Sequence, residues 1–160
     1  MKHKTQAAIL LFCFFLTLPL VAQKDPDMTL HATGNFEVKV APIDPAFKFD
    51  ENPIGRFSLD KHFHGDLEAA SQGEMLSGGN PAKGYGGYVA VERVSGTLHG
   101  LTGTFLLMHN GTMQNGDYKM NVIVVPGSGT GQLAGLSGSM QIIIKDGKHS
   151  YDFSYILPEK

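Results

Sequence analysis

The sequence predicts an all-β protein, a closed antiparallel β-barrel of about eight strands. Apolar and polar residues alternate over short segments, as in strands that bury one face. Many of the 20 glycines lie between these segments, where tight turns need them. No long window has the helical period of about 3.6 residues. A barrel of about eight strands has an interior that side chains can fill or that can hold one small ligand.

The N-terminal 22 residues have the layout of a secretory signal peptide. The start is basic, an apolar run occupies residues 7–21, and the small residue Ala22 precedes a polar segment. The run is shorter than the roughly 20 residues of a membrane span. We therefore expect export, to the periplasm or the medium, with an uncleaved anchor as the alternative. Residues 23–30 are then a linker, and residues 31–160 form a single barrel domain.

Composition excludes several kinds of chemistry and partner. The only cysteine, Cys13, lies in the predicted signal peptide, so the mature chain has no thiol nucleophile and no disulfide. Basic residues number 13 against 15 acidic ones and form no cluster, so we expect no nucleic-acid partner. We also expect no membrane partner after cleavage, since no basic amphipathic helix is evident. No motif requires a cofactor, and the oligomeric state is left open.

Eight segments have strand character. In chain order they are residues 35–40, 56–64, 66–72, 85–94, a segment beginning at Phe105, residues 118–125, 140–144 and 150–157. The last is the clearest, because Tyr151, Phe153 and Tyr155 alternate with polar residues.

Turn residues separate these segments. Asp146-Gly147 and Asn115-Gly116 predict two-residue turns of type I′, which need a positive φ at both positions. Pro42 and Pro45 predict a break after the first strand, and residues 78–81 predict another before the fourth.

An internal repeat relates two of the connections. Leu98–Phe105 and Leu133–Met140 share the pattern Leu-x-Gly-Leu-(Thr/Ser)-Gly-(Thr/Ser)-apolar. We interpret each copy as a glycine-bent connection that has a strand before it and feeds a strand after it. The alignment continues to His109 and Ile144, so an inward Ile144 implies an inward His109. The predicted inner face comprises Phe57, Leu59, Phe63, Phe105, Leu107, Met140, Ile142, Ile144, Tyr151, Phe153 and Tyr155.

Three titratable residues fall on inward faces by this alternation. Lys61 shares a face with Phe57, Leu59 and Phe63, and Glu92 shares one with Tyr88, Ala90 and Val94. A buried charge needs a partner. We therefore expect Lys61, Glu92 and His109 to meet near one barrel end and face a small ligand, with Tyr88 or Tyr118 on the wall. The alternative is a structural ion pair that closes the barrel mouth.

A metal site is a weaker possibility. His62 and His64 lie on one strand face with Glu68 four residues later, a donor set that suits iron, manganese or zinc. The same face carries Ser58 and Asp60, which favours two exposed histidines instead.

The glycine run 127–131 resembles a phosphate loop only superficially. It lacks the following Lys-Ser/Thr and the helix that phosphate binding needs, so we interpret it as a strand connection.

The motifs together resemble a bacterial family, the domain-of-unknown-function family 3224, from about Ala32 to Pro158. The runs that carry the resemblance are Gly55-Arg56-Phe57-Ser58-Leu59-Asp60-Lys61, Phe63-His64-Gly65-Asp66-Leu67, Gly86-Gly87-Tyr88-Val89-Ala90-Val91-Glu92-Arg93-Val94-Ser95-Gly96-Thr97-Leu98, Val124-Val125-Pro126-Gly127-Ser128-Gly129-Thr130-Gly131, Asp146-Gly147-Lys148-His149 and Tyr151-Asp152-Phe153. The resemblance implies a closed barrel similar to allene oxide cyclase. It implies no particular function, since one fold hosts many chemistries.

Three functions are compatible with these predictions. The first is a module that binds a small apolar molecule inside the barrel. The second is a cofactor-free isomerase or cyclase that uses Glu92, Lys61 or His109 for proton transfer, which the likeness to allene oxide cyclase supports. The third is a structural or interaction protein with a filled core. A cavity of ligand size would separate the third from the first two.

Overall fold

The computed structural model describes residues 28–48 and 50–158, which form a closed antiparallel barrel of eight strands. Each strand pairs with the next in chain order, and the first and last strands close the barrel. The strands are β1 (Leu30–Ile43), β2 (Gly55–Gly65), β3 (Leu67–Asn80), β4 (Tyr85–Leu98), β5 (Leu101–Gln114), β6 (Asp117–Val124), β7 (Ser137–Lys145) and β8 (Lys148–Ile156). The predicted fold class is confirmed. The predicted signal peptide lies outside the described residues.

The described residues contain little helical structure. Two 3-10 turns of three residues each, Pro81–Lys83 and Gly131–Leu133, lie in the connections. No helix between residues 28 and 48 or between 50 and 158 is long and apolar enough to cross a membrane.

The two predicted type I′ turns have the backbone that they require. Asp146 and Gly147 have φ values of 52° and 73°, and Asn115 and Gly116 have values of 53° and 85°. These turns connect β7 to β8 and β5 to β6.

The two predicted breaks occur before β2 and β4, but each begins later than the sequence indicated. β1 runs on through Pro42, which lies opposite Phe57 of β2. On its other edge the ladder to β8 ends at Phe36, so the missing N–H of Pro42 leaves no β8 carbonyl unpaired. β3 runs on to Asn80, with two glycines facing two glycines of β4. At the other end, β1 begins at Leu30, inside the segment predicted as a linker.

The internal repeat is confirmed as a glycine-bent connection that feeds a strand. Gly100 and Gly135 occupy equivalent positions, with φ values of 79° and 85°. β4 runs directly into the first copy, whereas β6 ends at Val124 and the second copy begins within the 3-10 turn Gly131–Leu133. The reason is that the pairing of β6 with β5 ends at Leu107. Beyond that point the connection that starts at Val125 hydrogen-bonds to β5 in place of a strand.

The interior is filled at one end and open at the other. All eleven residues predicted on the inner face pack in the core or line the inner cavity, although Ile144 is 58% exposed. Ile144 still points inward, because it lines the same cavity at the open end. Alternation therefore predicted the direction of Ile144 correctly but not its depth.

Close packing inside the wall predicts a strong effect of one added methyl group. A Cβ at Gly34 would overlap the backbone carbonyl oxygen of His64 and crowd the hydroxyl of Tyr151. We expect Gly34→Ala to lower the free energy of unfolding by about 2 kcal/mol, as overpacking does. Urea unfolding measures the change.

Gly78→Ala is the matched control. Its Cβ would meet no atom within 4 Å, and it also lies in a strand. We expect its effect to stay within about 0.5 kcal/mol. Equal losses in the two variants would contradict the packing argument.

Candidate functional site

The open half of the barrel contains a cavity of about 540 Å³. Its wall is mainly apolar and comes from every strand of the barrel. Phe36, Phe57, Met75, Met113, Met120 and Ile142 are among the lining residues. The volume falls within the range of about 300–1,000 Å³ that is usual for small-molecule sites.

A buried polar cluster forms the floor of this cavity. Lys61 Nζ donates a hydrogen bond of 2.7 Å to Glu92 Oε1, and His109 Nε2 lies 3.0 Å from the same oxygen. Ser71 Oγ donates to Glu92 Oε2 over 2.7 Å. The side chain of Glu92 is fully buried, and those of Lys61 and His109 are 9% and 6% exposed. The predicted meeting of Lys61, Glu92 and His109 therefore occurs.

Small residues on β3 allow this meeting. Lys61 on β2 and Glu92 on β4 are separated by β3, where Ser71 pairs with Lys61 and Gly73 pairs with Glu92. A Cβ at Gly73 would overlap the Val91 carbonyl and crowd Glu92. The long side chains of Lys61 and Glu92 therefore reach each other across β3, which has only small side chains at this level of the barrel.

Ser71 is the member of the cluster that the sequence reasoning missed. Alternation placed Ser71 on the same face as Leu67 and Ala69, which was a usable signal. A serine on an apolar strand face does not by itself predict a polar cluster, although a buried hydroxyl needs a hydrogen-bond partner.

Only part of the cluster faces the cavity. Lys61 and His109 line it, whereas Glu92 and Ser71 lie behind them. The expectation that Glu92 contacts a ligand is therefore not supported by its position. Glu92 instead holds the two groups that do face the cavity.

The cluster keeps Glu92 ionised. Burial alone would raise the pKa of its carboxyl, but the hydrogen bond from His109 and the charge of Lys61 lower it to about 2. Lys61 Nζ also lies over the rings of Phe36 and Phe63, 5.4 and 5.9 Å from their centroids. The ammonium is therefore stabilised by one carboxylate and two aromatic faces.

Tyr88 and Tyr118 line the wall as predicted. The ring of Tyr88 meets that of His109 edge-on, with centroids 6.3 Å apart. Burial raises the pKa of the Tyr88 hydroxyl, and the neighbouring Tyr118 raises it further. Tyr88 is therefore a neutral hydroxyl at physiological pH, and Tyr118 lies nearer the mouth, half exposed.

The residues of the metal alternative lie on the outer face. His62 and His64 are exposed, and His64 contacts Glu37 at 3.0 Å and Glu68 at 3.5 Å. Within residues 28–48 and 50–158, no three histidine, cysteine or acidic side chains are placed to hold a metal ion. Both histidines are therefore exposed on the outer face, and His64 contacts surface carboxylates.

A second cleft, of about 630 Å³, lies on the outside of the barrel. The connection between β1 and β2 lies beside apolar side chains of the sheet there, including Leu76 and Val89, which are 45% and 55% exposed. Its charged members, Arg56 and Glu74, pair with each other at 2.7 Å. The inner cavity is the better candidate site, because it alone combines an apolar wall with a buried polar floor.

Comparisons with known proteins agree with this architecture. A family model described as a protein of unknown function (DUF3224) matches residues 32–155. A crystal structure of a protein with unknown function from the DUF3224 family of Shewanella oneidensis MR-1 is 44% identical, with a TM-score of 0.78. The match covers 83% of this chain and 100% of that one. No curated protein matches the chain.

Proposed function

This chain belongs to the DUF3224 family of proteins of unknown function, and we propose that its barrel binds a small apolar molecule. The observation that carries the proposal is the cavity of about 540 Å³ at the open end. An apolar wall supplies binding energy in proportion to the area removed from water, and a few polar groups fix the orientation of the ligand.

The cavity argues against a barrel with a filled core. Phe105, Leu107 and Phe153 fill one end of the interior. At the other end Ile144 and Tyr118 face inward without being covered. A purely structural barrel would gain stability from side chains that fill this space, because buried apolar contacts stabilise the fold.

The polar floor favours binding over proton transfer by Glu92. A general base works best when its pKa lies near the working pH. Three donors surround the Glu92 carboxylate and hold its pKa at about 2, so it accepts a proton poorly. Glu92 also lies behind Lys61 and His109, away from a bound molecule. The floor is therefore better suited to hold a polar group of a ligand than to catalyse an isomerisation through Glu92.

Filling the cavity is expected to abolish binding of an apolar probe. Ser77 lines the cavity from β3, and Ser77→Phe would place a ring in it. We expect Nile red, a neutral apolar dye, to bind the unmodified protein with increased fluorescence and to bind Ser77→Phe at least about tenfold more weakly. Fluorescence titration measures both affinities.

Leu76→Phe is the matched control on the opposite face of the same strand. Leu76 lines the outer cleft and is 45% exposed. We expect this variant to bind Nile red as the unmodified protein does. Loss of binding in Leu76→Phe alone would assign the dye to the outer cleft and overturn the proposal, as would the absence of binding to the unmodified protein.

A further inference from the structure

The floor of the cavity has hydrogen-bonding capacity that the protein does not use. The Lys61 ammonium has three N–H groups, and among the described residues it donates a hydrogen bond only to Glu92. His109 bonds Glu92 through Nε2, and its Nδ1 has no hydrogen bond to the described residues. Every fully buried side-chain nitrogen or oxygen of the described residues has a hydrogen-bond partner. Because Nδ1 has none, it is not fully buried. His109 borders both the inner cavity and the outer cleft, and its side chain points into the inner cavity because its neighbours Met108 and Asn110 face outward.

The ionised state of Glu92 fixes the proton on His109. A carboxylate can only accept, so Nε2 must carry the hydrogen of the bond to Glu92. In the neutral ring, Nδ1 is then an acceptor. The floor thus presents a charged donor, Lys61, beside an acceptor, Nδ1 of His109. The two groups are held side by side because both contact Glu92 Oε1.

This arrangement identifies a ligand class, an inference that rests on the proposed function. We infer that the cavity binds an apolar molecule through a carboxylic acid group. One oxygen of the acid accepts a hydrogen bond from Lys61, and the acid proton passes to Nδ1 of His109. The imidazolium then donates to the second oxygen.

Charge balance supports a carboxylic acid over a bare anion. The empty floor carries one positive charge on Lys61 and one negative charge on Glu92. A carboxylate alone would add an uncompensated buried charge, which is costly. A carboxylate with a protonated His109 gives two positive and two negative charges. A ligand that arrives ionised therefore takes up one proton from solvent as it binds.

Among the described residues, the titratable groups that line the cavity with His109 are Lys61, Tyr88, Tyr118 and His149, whose ring lies 5.1 Å from that of Phe36. Glu92 and Tyr88 face His109 from β4, Lys61 reaches the shared oxygen from β2, and Ser71 supports Glu92 from β3. Tyr88 is neutral because burial raises the pKa of its hydroxyl.

The wall suits a rigid apolar body. Met75, Met113 and Met120 line the cavity with the aromatic rings of Phe36 and Phe57. Methionine side chains adapt to irregular shapes and make favourable contacts with aromatic rings. An aryl group is therefore a suitable body for the probe.

Three closely related probes test the inference. They are naphthylacetic acid, its primary amide and its methyl ester, which share one apolar body and differ in the head group. The protein has no tryptophan, so naphthyl fluorescence can be followed directly. Calorimetry in two buffers of different ionisation enthalpy, above the pH range in which histidine ordinarily titrates, counts the protons taken up.

We expect the acid to bind at least about tenfold more tightly than the amide, and the ester to bind most weakly. Only the acid forms charge-assisted hydrogen bonds with the floor, and these are stronger than hydrogen bonds between neutral groups. We also expect uptake of about one proton per bound acid and none with the amide. Equal affinities for acid and amide, or binding of the acid without proton uptake, would overturn the inference. If Nile red and the ester bind and the acid is not preferred, this inference alone fails. If none of the probes binds, the proposed function fails as well.

His109→Gln tests the assigned proton acceptor. Its amide can still donate to Glu92, and Nile red binding shows whether the cavity is intact. We expect this variant to lose the proton uptake and most of the preference for the acid. Met108→Leu, on the outer face of the same strand, should retain both. Full proton uptake by His109→Gln would place the proton elsewhere and contradict the inference.

Discussion

Glu92→Gln is expected to lower the free energy of unfolding by about 3 kcal/mol. The substitution keeps the shape of the side chain but removes the charge that compensates Lys61. The side chain of Lys61 is only 9% exposed, and among the described residues its ion pair is with Glu92. Removing one partner of a buried pair leaves the other charge uncompensated, which costs far more than the loss of a surface pair. Urea unfolding at neutral pH measures the loss.

Glu74→Gln is the matched control for this prediction. Glu74 lies on β3 and pairs with Arg56 at 2.7 Å, but the two side chains are 55% and 34% exposed. Exposed pairs contribute roughly 0–1 kcal/mol, so we expect a loss below about 1 kcal/mol. If the two substitutions cost the same, burial of the cluster does not determine its energetics.

A second substitution separates the buried charge from other effects of Glu92→Gln. In Lys61→Met with Glu92→Gln, the unpaired ammonium is gone, and the methionine can pack against Phe36 and Phe63 as the lysine chain does. We expect this double variant to recover at least half of the stability that Glu92→Gln loses, since apolar replacement of a buried pair is often close to neutral. No recovery would mean that the hydrogen bonds of Glu92 to Ser71 and His109 carry the loss.

The direction in which each cluster residue points was predictable, but their depth was not. A strand alternates its side chains strictly, so Phe57, Leu59 and Phe63 identify the face of Lys61. The internal repeat assigned His109 in the same way. Period alone says nothing about where along the barrel axis a residue lies. Ile144 and Phe105 therefore had the same prediction, although Ile144 lines the open cavity and Phe105 is in the core.

Contacts between side chains two strands apart could not be predicted from the sequence either. Lys61 and Glu92 meet only because the β2–β3 and β3–β4 registers bring Ser71 and Gly73 between them. Those registers depend on where each hairpin turns, and β3 continues to Asn80, into the segment predicted as a break. A register shift by one residue would have moved one partner to the other face of the sheet. The cavity likewise exists because the inward side chains at the open end do not fill the interior. Alternation predicts which side chains point inward but not whether they fill the space.

Acidification is expected to remove the stabilisation that the cluster provides. The pKa of Glu92 is lowered from 4.5 to about 2 in the folded protein, because His109 and Lys61 outweigh the effect of burial, which raises it. A group whose pKa is lowered by folding stabilises the fold above its unfolded pKa. That contribution, about 3 kcal/mol, decreases as the pH falls from about 4.5 to about 2.

Other carboxyls titrate in the same range, so the double variant Lys61→Met with Glu92→Gln is the reference. We expect the unmodified protein to lose stability more steeply than this variant over that range, as measured by urea unfolding at a series of pH values. Parallel pH profiles for the two proteins would show that Glu92 titrates with an ordinary pKa, and the cluster would then not hold it ionised.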